Sequence, residues 1–453
     1  MADGNTANAA ARMRRVADDP GGLDLIGAPE GFDALVMADL VRARKNLAVF
    51  VARDGTRLSA FVDSFRFFAQ GVEVLPFPAW DCLPYDRVGP SAGVAAQRMA
   101  TLSRLAEGLD RRPRLLVTTS AALLQRVPPL EAVKGAGYSA RAGATVQIAD
   151  LERYFAVNGY QRASTVSEKG EFAIRGGVID VFPPGSDEPV RLDLFGDTLE
   201  SIRAFDPETQ RSTRQLKDVS LLPVSEALVD KAAVSRFRSG YLEAFGAPGD
   251  DPLYAAISEG GRRAGMEHYL PLFYPKMASL FDYLPAEAVI ALDHLARDSR
   301  DERLAMIDDA YESRAATERR IHYHPLEPSR LYLDAEEWDK ALAGRPTRRF
   351  SAFHEAESDA AVDLGARAGR NFSAERKLDS VNLFAATVDH ARKLSAAGKR
   401  VLFASWSEGS SERLGHMLAD HGLKRLPLAP YWDAAKAADP KNPQRVVLPL
   451  DAG

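Results

Sequence analysis

The chain has 453 residues, enough for about three compact domains, and is 46% hydrophobic and 27% charged, the balance of a folded globular protein. Its single cysteine, Cys82, excludes a disulfide framework and any multi-thiolate metal site, and no apolar run approaches the ~20 residues of a membrane helix. A net charge of −5 builds no global positive field for nucleic acid, and the polar, Ala-rich N-terminus lacks a signal-peptide core, so a multi-domain cytoplasmic protein with no membrane partner is expected.

Residues 1–22 read as a disordered lead-in closed by the breakers Asp18-Asp19-Pro20-Gly21-Gly22. Strand and helix patterns then alternate. A short strand at 23–26 precedes a helix at 32–44, with Leu35, Val36, Leu40 and Val41 at helical spacing; an apolar strand at 47–51 precedes a helix at 57–70. Further buried strands are expected at 72–75 and 115–118. This alternation predicts a parallel sheet with helices on both faces over 23–136.

From 137 to 223 the pattern changes to short alternating strands with tight turns, a β-rich insert. Phe172 and Ile174 face inward, 178–182 follows, and Gly196-Asp197 has the position of a hairpin turn. Residues 224–330 return to α/β, with a strand at 288–292 and a long charged helix over 294–320. Residues 331–453 read as a third α/β unit, with helices at 381–394 and 411–421 and strands at 400–404 and 445–450. Ending at Gly453, three residues after a strand, that unit is expected to be truncated.

The first α/β segment opens with Gly27-Ala28-Pro29-Glu30-Gly31-Phe32-Asp33-Ala34 between a strand and a helix, the setting of a phosphate-binding loop. Such a loop needs glycine, lysine and a hydroxyl in its last three places. Here those places hold Phe32, Asp33 and Ala34, and an aspartate where the lysine belongs repels a triphosphate. The loop, from Gly27 through Gly31, is therefore read as a degenerate nucleotide site. Asp293, after an apolar strand, has the place of a magnesium-holding acid but reads as an ordinary strand end without the loop. His322 and His324 lack a third ligand before Pro325, Cys82 has no basic neighbour to activate it, and no G-x-S-x-G elbow occurs. No catalytic or metal-binding residues are assigned.

The insert carries more. In Pro189-Val190-Arg191-Leu192-Asp193-Leu194-Phe195, alternation puts Val190, Leu192 and Leu194 on one face and Arg191, Asp193 and Phe195 on the other. With Phe172 and Ile174 inward, Arg175 turns outward. An aromatic and arginines on a polar face read either as a capped hairpin with solvated cations or as a protein-docking face.

The run Gly170-Glu171-Phe172-Ala173-Ile174-Arg175-Gly176-Gly177-Val178-Ile179-Asp180-Val181-Phe182-Pro183, with Arg191-Leu192-Asp193-Leu194-Phe195 and Glu200-Ser201-Ile202-Arg203-Ala204-Phe205-Asp206, resembles the UvrB-homology module, which UvrB shares with the bacterial transcription-repair coupling factors (Mfd). The lost phosphate loop and the run Pro78-Ala79-Trp80-Asp81-Cys82-Leu83-Pro84-Tyr85-Asp86, with Arg98, Thr101 and Leu102, point to the coupling factors, as do Phe273-Tyr274 and Leu280-Phe281-Asp282-Tyr283-Leu284-Pro285. The resemblance implies a degenerate UvrB-like, helicase-like α/β domain in two segments, a β-rich UvrA-binding insert between them, and a further α/β domain. It implies that UvrA is the partner and that Arg175, Arg191 and Phe195 contact it. It also implies that RNA polymerase, double-stranded DNA, and the ATP and magnesium of the family's translocase belong to regions absent from this chain, which is then expected to need no cofactor and to bind UvrA without the family's C-terminal mask. The alternative is an ATP-dependent DNA-repair enzyme close to UvrB, and the ending Phe32-Asp33-Ala34 argues against it.

Overall fold

A computed structural model describes residues 2–317, 323–353, 358–367, 369–377 and 382–450. The strands are β1 (Gly22–Ile26), β2 (Leu47–Ala52), β3 (Glu73–Phe77), β4 (Arg114–Thr119), β5 (Tyr138–Arg141), β6 (Gln161–Arg162), β7 (Glu171–Arg175), β8 (Val178–Val181), β9 (Val190–Phe195), β10 (Thr198–Phe205), β11 (Ser212–Leu216), β12 (Asp218–Leu221), β13 (Val289–Leu292), β14 (Thr347–Phe350), β15 (Ala361–Asp363), β16 (Leu402–Ser405) and β17 (Gln444–Val447). Helices α1 (Ala2–Asp18), α2 (Phe32–Arg44), α3 (Gly55–Phe68) and α4 (Ala92–Ala106) position the residues discussed below.

Seven strands form a parallel sheet in the order β15-β1-β14-β13-β2-β4-β3. A parallel sheet is covered on both faces, so its central strands have no polar side. In β2, accordingly, Leu47, Val49 and Val51 enter one core while Ala48, Phe50 and Ala52 enter the other, where Phe50 stacks on Phe61 of α3 with ring centroids 3.5 Å apart.

The insert is a six-stranded sheet in the order β11-β10-β9-β8-β7-β6, antiparallel except between β6 and β7. Its inner face (Phe172, Ile179, Val181, Val190, Leu192, Leu199, Ile202) packs on the helix Ile148–Asn158, where Phe155 stacks on Phe172 at 4.4 Å. The antiparallel pair β5–β12 joins the insert's entering and leaving strands, closing it at its base. The fold is thus mixed α/β, a UvrB-like domain interrupted by a β-rich insert and followed by a further α/β unit.

Two boundaries differ from those read in the sequence. The expected disordered lead-in, 1–22, instead contains α1. The end of α1 and the turn after it find a partner far along the chain: the buried Arg348 of β14 donates to Val16 O at 2.6 Å in the last turn of the helix, the pairing a helix C-terminus favours, and to Asp19 O at 2.6 Å and Gly21 O at 2.8 Å beyond it. The third unit does not begin at 331, because β14 and β15 complete the first sheet on either side of β1. What remains beyond it centres on the parallel pair β16–β17, and it shares a core with the first domain: Ala429, Ala435, Val446 and Leu448 pack in the cluster that holds Leu25 and Phe50, and Trp432 meets Phe68 edge-on at 5.5 Å.

Arg98 of α4 fastens the insert to this body. Its buried guanidinium pairs with the buried carboxylate of Glu226, where the chain returns from the insert. It also donates to Pro78 O at 2.7 Å and Gln125 Oε1 at 2.9 Å and lies over the Phe77 ring at 4.1 Å. Removing one partner of such a pair strands a buried charge, whereas replacing both by apolar groups does not. Arg98→Met should therefore lower stability by about 3 kcal/mol or more in urea denaturation, and Arg98→Met with Glu226→Leu should recover most of it. Wild-type stability in the single variant would show that the pair does not hold this junction.

Candidate functional site

The degenerate loop and the outer face of the insert were the two places marked by sequence, and both turn on how an aspartate is used. After β1 the chain turns through Gly27 and Gly31, both with positive φ (61° and 90°), and α2 starts at Phe32. Two amides at this helix start donate to the Asp33 carboxylate: Gly31 N at 2.9 Å and Ala34 N at 2.7 Å. The other Asp33 oxygen pairs with buried Arg57 of α3. A side-chain carboxylate thus takes up amides that an anionic ligand would use. The turn is also closed from above, since a Cβ on Gly31 would meet Leu450 Cδ2 at 2.1 Å.

Around it, Arg53 donates to Glu30 at 2.6 Å and to Asp293 at 3.2 Å, and Arg57 Nε lies 3.5 Å from both Glu30 and Asp293. His294 Nδ1 is 3.2 Å from Asp293 Oδ1. Glu30, Asp293 and His294 form a ligand set in composition, but both carboxylates are already matched by guanidinium groups. Burial, the dominant cause, pushes the Asp33 carboxyl up to about 6, with Asp293 adding to the rise and Arg57 and the two amides opposing it.

Of the remaining residues singled out by sequence, Cys82 is half-buried, and burial, with the charges of Asp81, Glu267 and Asp86, pushes its thiol up to about 11. His324 accepts through its carbonyl from Tyr269 Oη at 2.9 Å and stacks on Phe245 at 5.3 Å; His322 lies outside the described residues.

Arg175, Arg191 and Phe195 share the outer face of the insert's sheet. The register pairs Arg175 with Val178, Val178 with Asp193 and Asp180 with Arg191, which puts the central aspartate of β8 between the two arginines. Arg191 is bidentate on Asp180, Nε to Oδ1 at 2.7 Å and Nη2 to Oδ2 at 2.9 Å, and lies over the Phe205 ring at 4.9 Å. Arg175 reaches the same Oδ2 at 3.4 Å and also donates to Ser164 O. Asp193 is held by Arg203 at 2.7 Å and by Ser201.

Phe195, at the last position before the Gly196-Asp197 turn, caps nothing: it is 77% exposed. Asp180 escaped the sequence reading, although an acid between Ile179 and Val181 in an alternating strand is a signal that the outer face holds a cation. The outer face is not polar throughout, since Val166, Ala173, Phe182 and Phe205 make a small apolar cluster of their own.

Residues 139–226 match the family described as the UvrB interaction domain. The six-stranded insert with its Arg–Asp–Arg face is therefore similar to a UvrB interaction domain, carried on a UvrB-like α/β body. Over longer stretches the chain is similar to transcription-repair-coupling factors: 32% identical to that of Haemophilus influenzae over 71% of this chain and 28% of the relative, and 28% identical to that of Escherichia coli over 88% and 33%. The factor of Bacillus subtilis is 27% identical over 83% of this chain and 32% of its own. The chain is thus a relative of the transcription-repair-coupling factors and spans about a third of their length. Among the described residues, no helix is long and apolar enough to cross a membrane.

The raised Asp33 value gives the loop a testable pH signature. A carboxyl that binds its proton more tightly in the folded chain costs stability above its folded value, and this cost disappears as pH falls. Wild type should gain stability relative to Asp33→Asn as pH drops from about 6 to 3.8, followed by chemical denaturation at stepped pH. A pH-independent difference between the two proteins would contradict the buried, titrating carboxylate.

Proposed function

We propose that this chain serves transcription-coupled nucleotide excision repair as the part that recruits UvrA, through the outer face of β7–β9. The observation that carries this reading is Phe195, 77% exposed on the sheet face that also carries Arg175 and the bidentate Arg191, inside the segment that matches a UvrB interaction domain. Exposed aromatics and arginines dominate binding energetics at interfaces, and a guanidinium can meet a carboxylate through two parallel hydrogen bonds. Phe195 would enter an apolar pocket on UvrA while Arg175 and Arg191 meet its acidic groups.

Contacts with RNA polymerase and double-stranded DNA, and ATP-driven translocation with magnesium, are proposed for parts of the family's chain other than this one. The loop Gly27–Ala34 is proposed to work as a closed structural turn without nucleotide, supported by the Asp33 carboxylate on the amides of Gly31 and Ala34. This chain then acts as an adaptor rather than an enzyme.

Binding of purified UvrA to wild type, Phe195→Ala and Arg191→Ala tests the docking face. Each truncation should cost about 2 kcal/mol, roughly thirtyfold in Kd, with the circular dichroism of the fold unchanged. Wild-type affinity in both variants would sink the proposal, and ATP turnover by the purified chain would favour a UvrB-like enzyme instead.

A further inference from the structure

We infer that Asp180 is the positioning residue of the docking face, the buried template that presents Arg191 and Arg175 to a carboxylate of the partner. The inference rests on the UvrA-docking reading above and adds to it a residue that itself touches no partner.

Asp180 lies in β8, between the two strands that carry the arginines. Its neighbours Ile179 and Val181 fill the inner core, and its own side chain is only 2% exposed. A buried carboxylate is expensive unless paired, and replacing such an ionic trio by apolar groups is often neutral for a fold. Stability alone therefore gives little reason for an acid here.

What Asp180 does is fix geometry. Both of its oxygens hold Arg191, through Nε and Nη2, which leaves Nη1 for another acceptor, and the Phe205 ring supports the guanidinium from its face. Arg191 is consequently held in one arrangement at 20% exposure, whereas Arg175, tied at 3.4 Å to the same oxygen, keeps half its side chain in solvent. Two cations sharing one acid leave one positive charge for the partner, while the adjacent Asp193–Arg203 pair is self-compensated. An arginine already ordered loses less freedom on binding, so the template converts a flexible charge into a preformed fork.

The test compares UvrA affinity for wild type, Asp180→Asn, Arg191→Ala, Arg175→Ala/Arg191→Ala, the triple variant combining Asp180→Asn with the last, Phe195→Ala and Arg191→Lys. Asp180→Asn should weaken binding about tenfold, by losing the fork's order. On the background lacking both arginines the same change should cost less than about twofold, because Asp180 acts only through them. Arg191→Lys, which keeps the charge but not the fork, should bind nearly as weakly as Arg191→Ala, and it serves if Asp180→Asn fails to fold. Asp180→Asn at wild-type affinity with the fold intact, an equal tenfold loss in the triple variant, or Arg191→Lys at wild-type affinity would each overturn the inference. Wild-type affinity in Phe195→Ala and Arg191→Ala together would instead remove the docking reading beneath it.

Discussion

The insert is held rigidly to the body, and the centre of that junction is one buried guanidinium. Arg98 gathers the ends of three stretches that are remote in sequence: Pro78 after β3, Gln125 after β4 and Glu226 at the return from the insert. Tyr274 locks the same residue from the other side, donating its hydroxyl to the Glu226 carbonyl and accepting from Leu228 N. With β5 and β12 paired above it, the chain leaves and re-enters the body through a closed neck rather than a flexible linker. An inserted domain joined by two such strands has far less freedom than one tethered at a single end.

Both marked sites are built from the same unit, a buried aspartate with arginines, and they end in opposite states because of geometry. Asp33 faces the start of α2, so its carboxylate consumes amides and its arginine is buried with it. The pair faces inward, and Leu450 lies across the turn. Asp180 sits in the middle of a sheet whose outer face is open, so its arginines keep donors toward solvent. The same kind of acid closes one turn and, in the insert, holds arginines on an open face. A net charge of −5 for the whole chain says nothing of either, since each depends on where a single carboxylate points.

Much of the architecture was legible because it depends on short-range pattern. The helix at 32–44, the strand at 47–51 and the alternation of Val190, Leu192 and Leu194 follow from periodicity alone, and the structure has α2 over Phe32–Arg44, β2 over Leu47–Ala52 and β9 over Val190–Phe195. What escaped is long-range. No local signal says that 347–350 slots beside β1 rather than opening a new domain, because sheet neighbours are chosen by tertiary packing. The order of α1 was hidden for the same reason: its Ala-rich sequence suits a helix, but the Val16 carbonyl in its last turn is satisfied by Arg348, more than 300 residues away. In the insert the outward direction of Arg175, Arg191 and Phe195 could be read from alternation. Their mutual support could not, since it needs the β7–β8–β9 register that sets Asp180 between them.

Phe195, finally, is a side chain of β9 that the fold does not use. The inner face of β9 is complete with Val190, Leu192 and the partly buried Leu194, and the outer apolar cluster around Phe205 closes without it. Its ring therefore contributes little to the folded chain while leaving apolar area in water that a small polar residue at the same turn would not. The turn does not demand it, because Gly196 supplies the positive φ of 58° that the hairpin needs. On the proposed docking reading, an aromatic placed where folding gains little from it has a use on association: burying such a ring against a partner recovers the transfer energy that folding leaves unused.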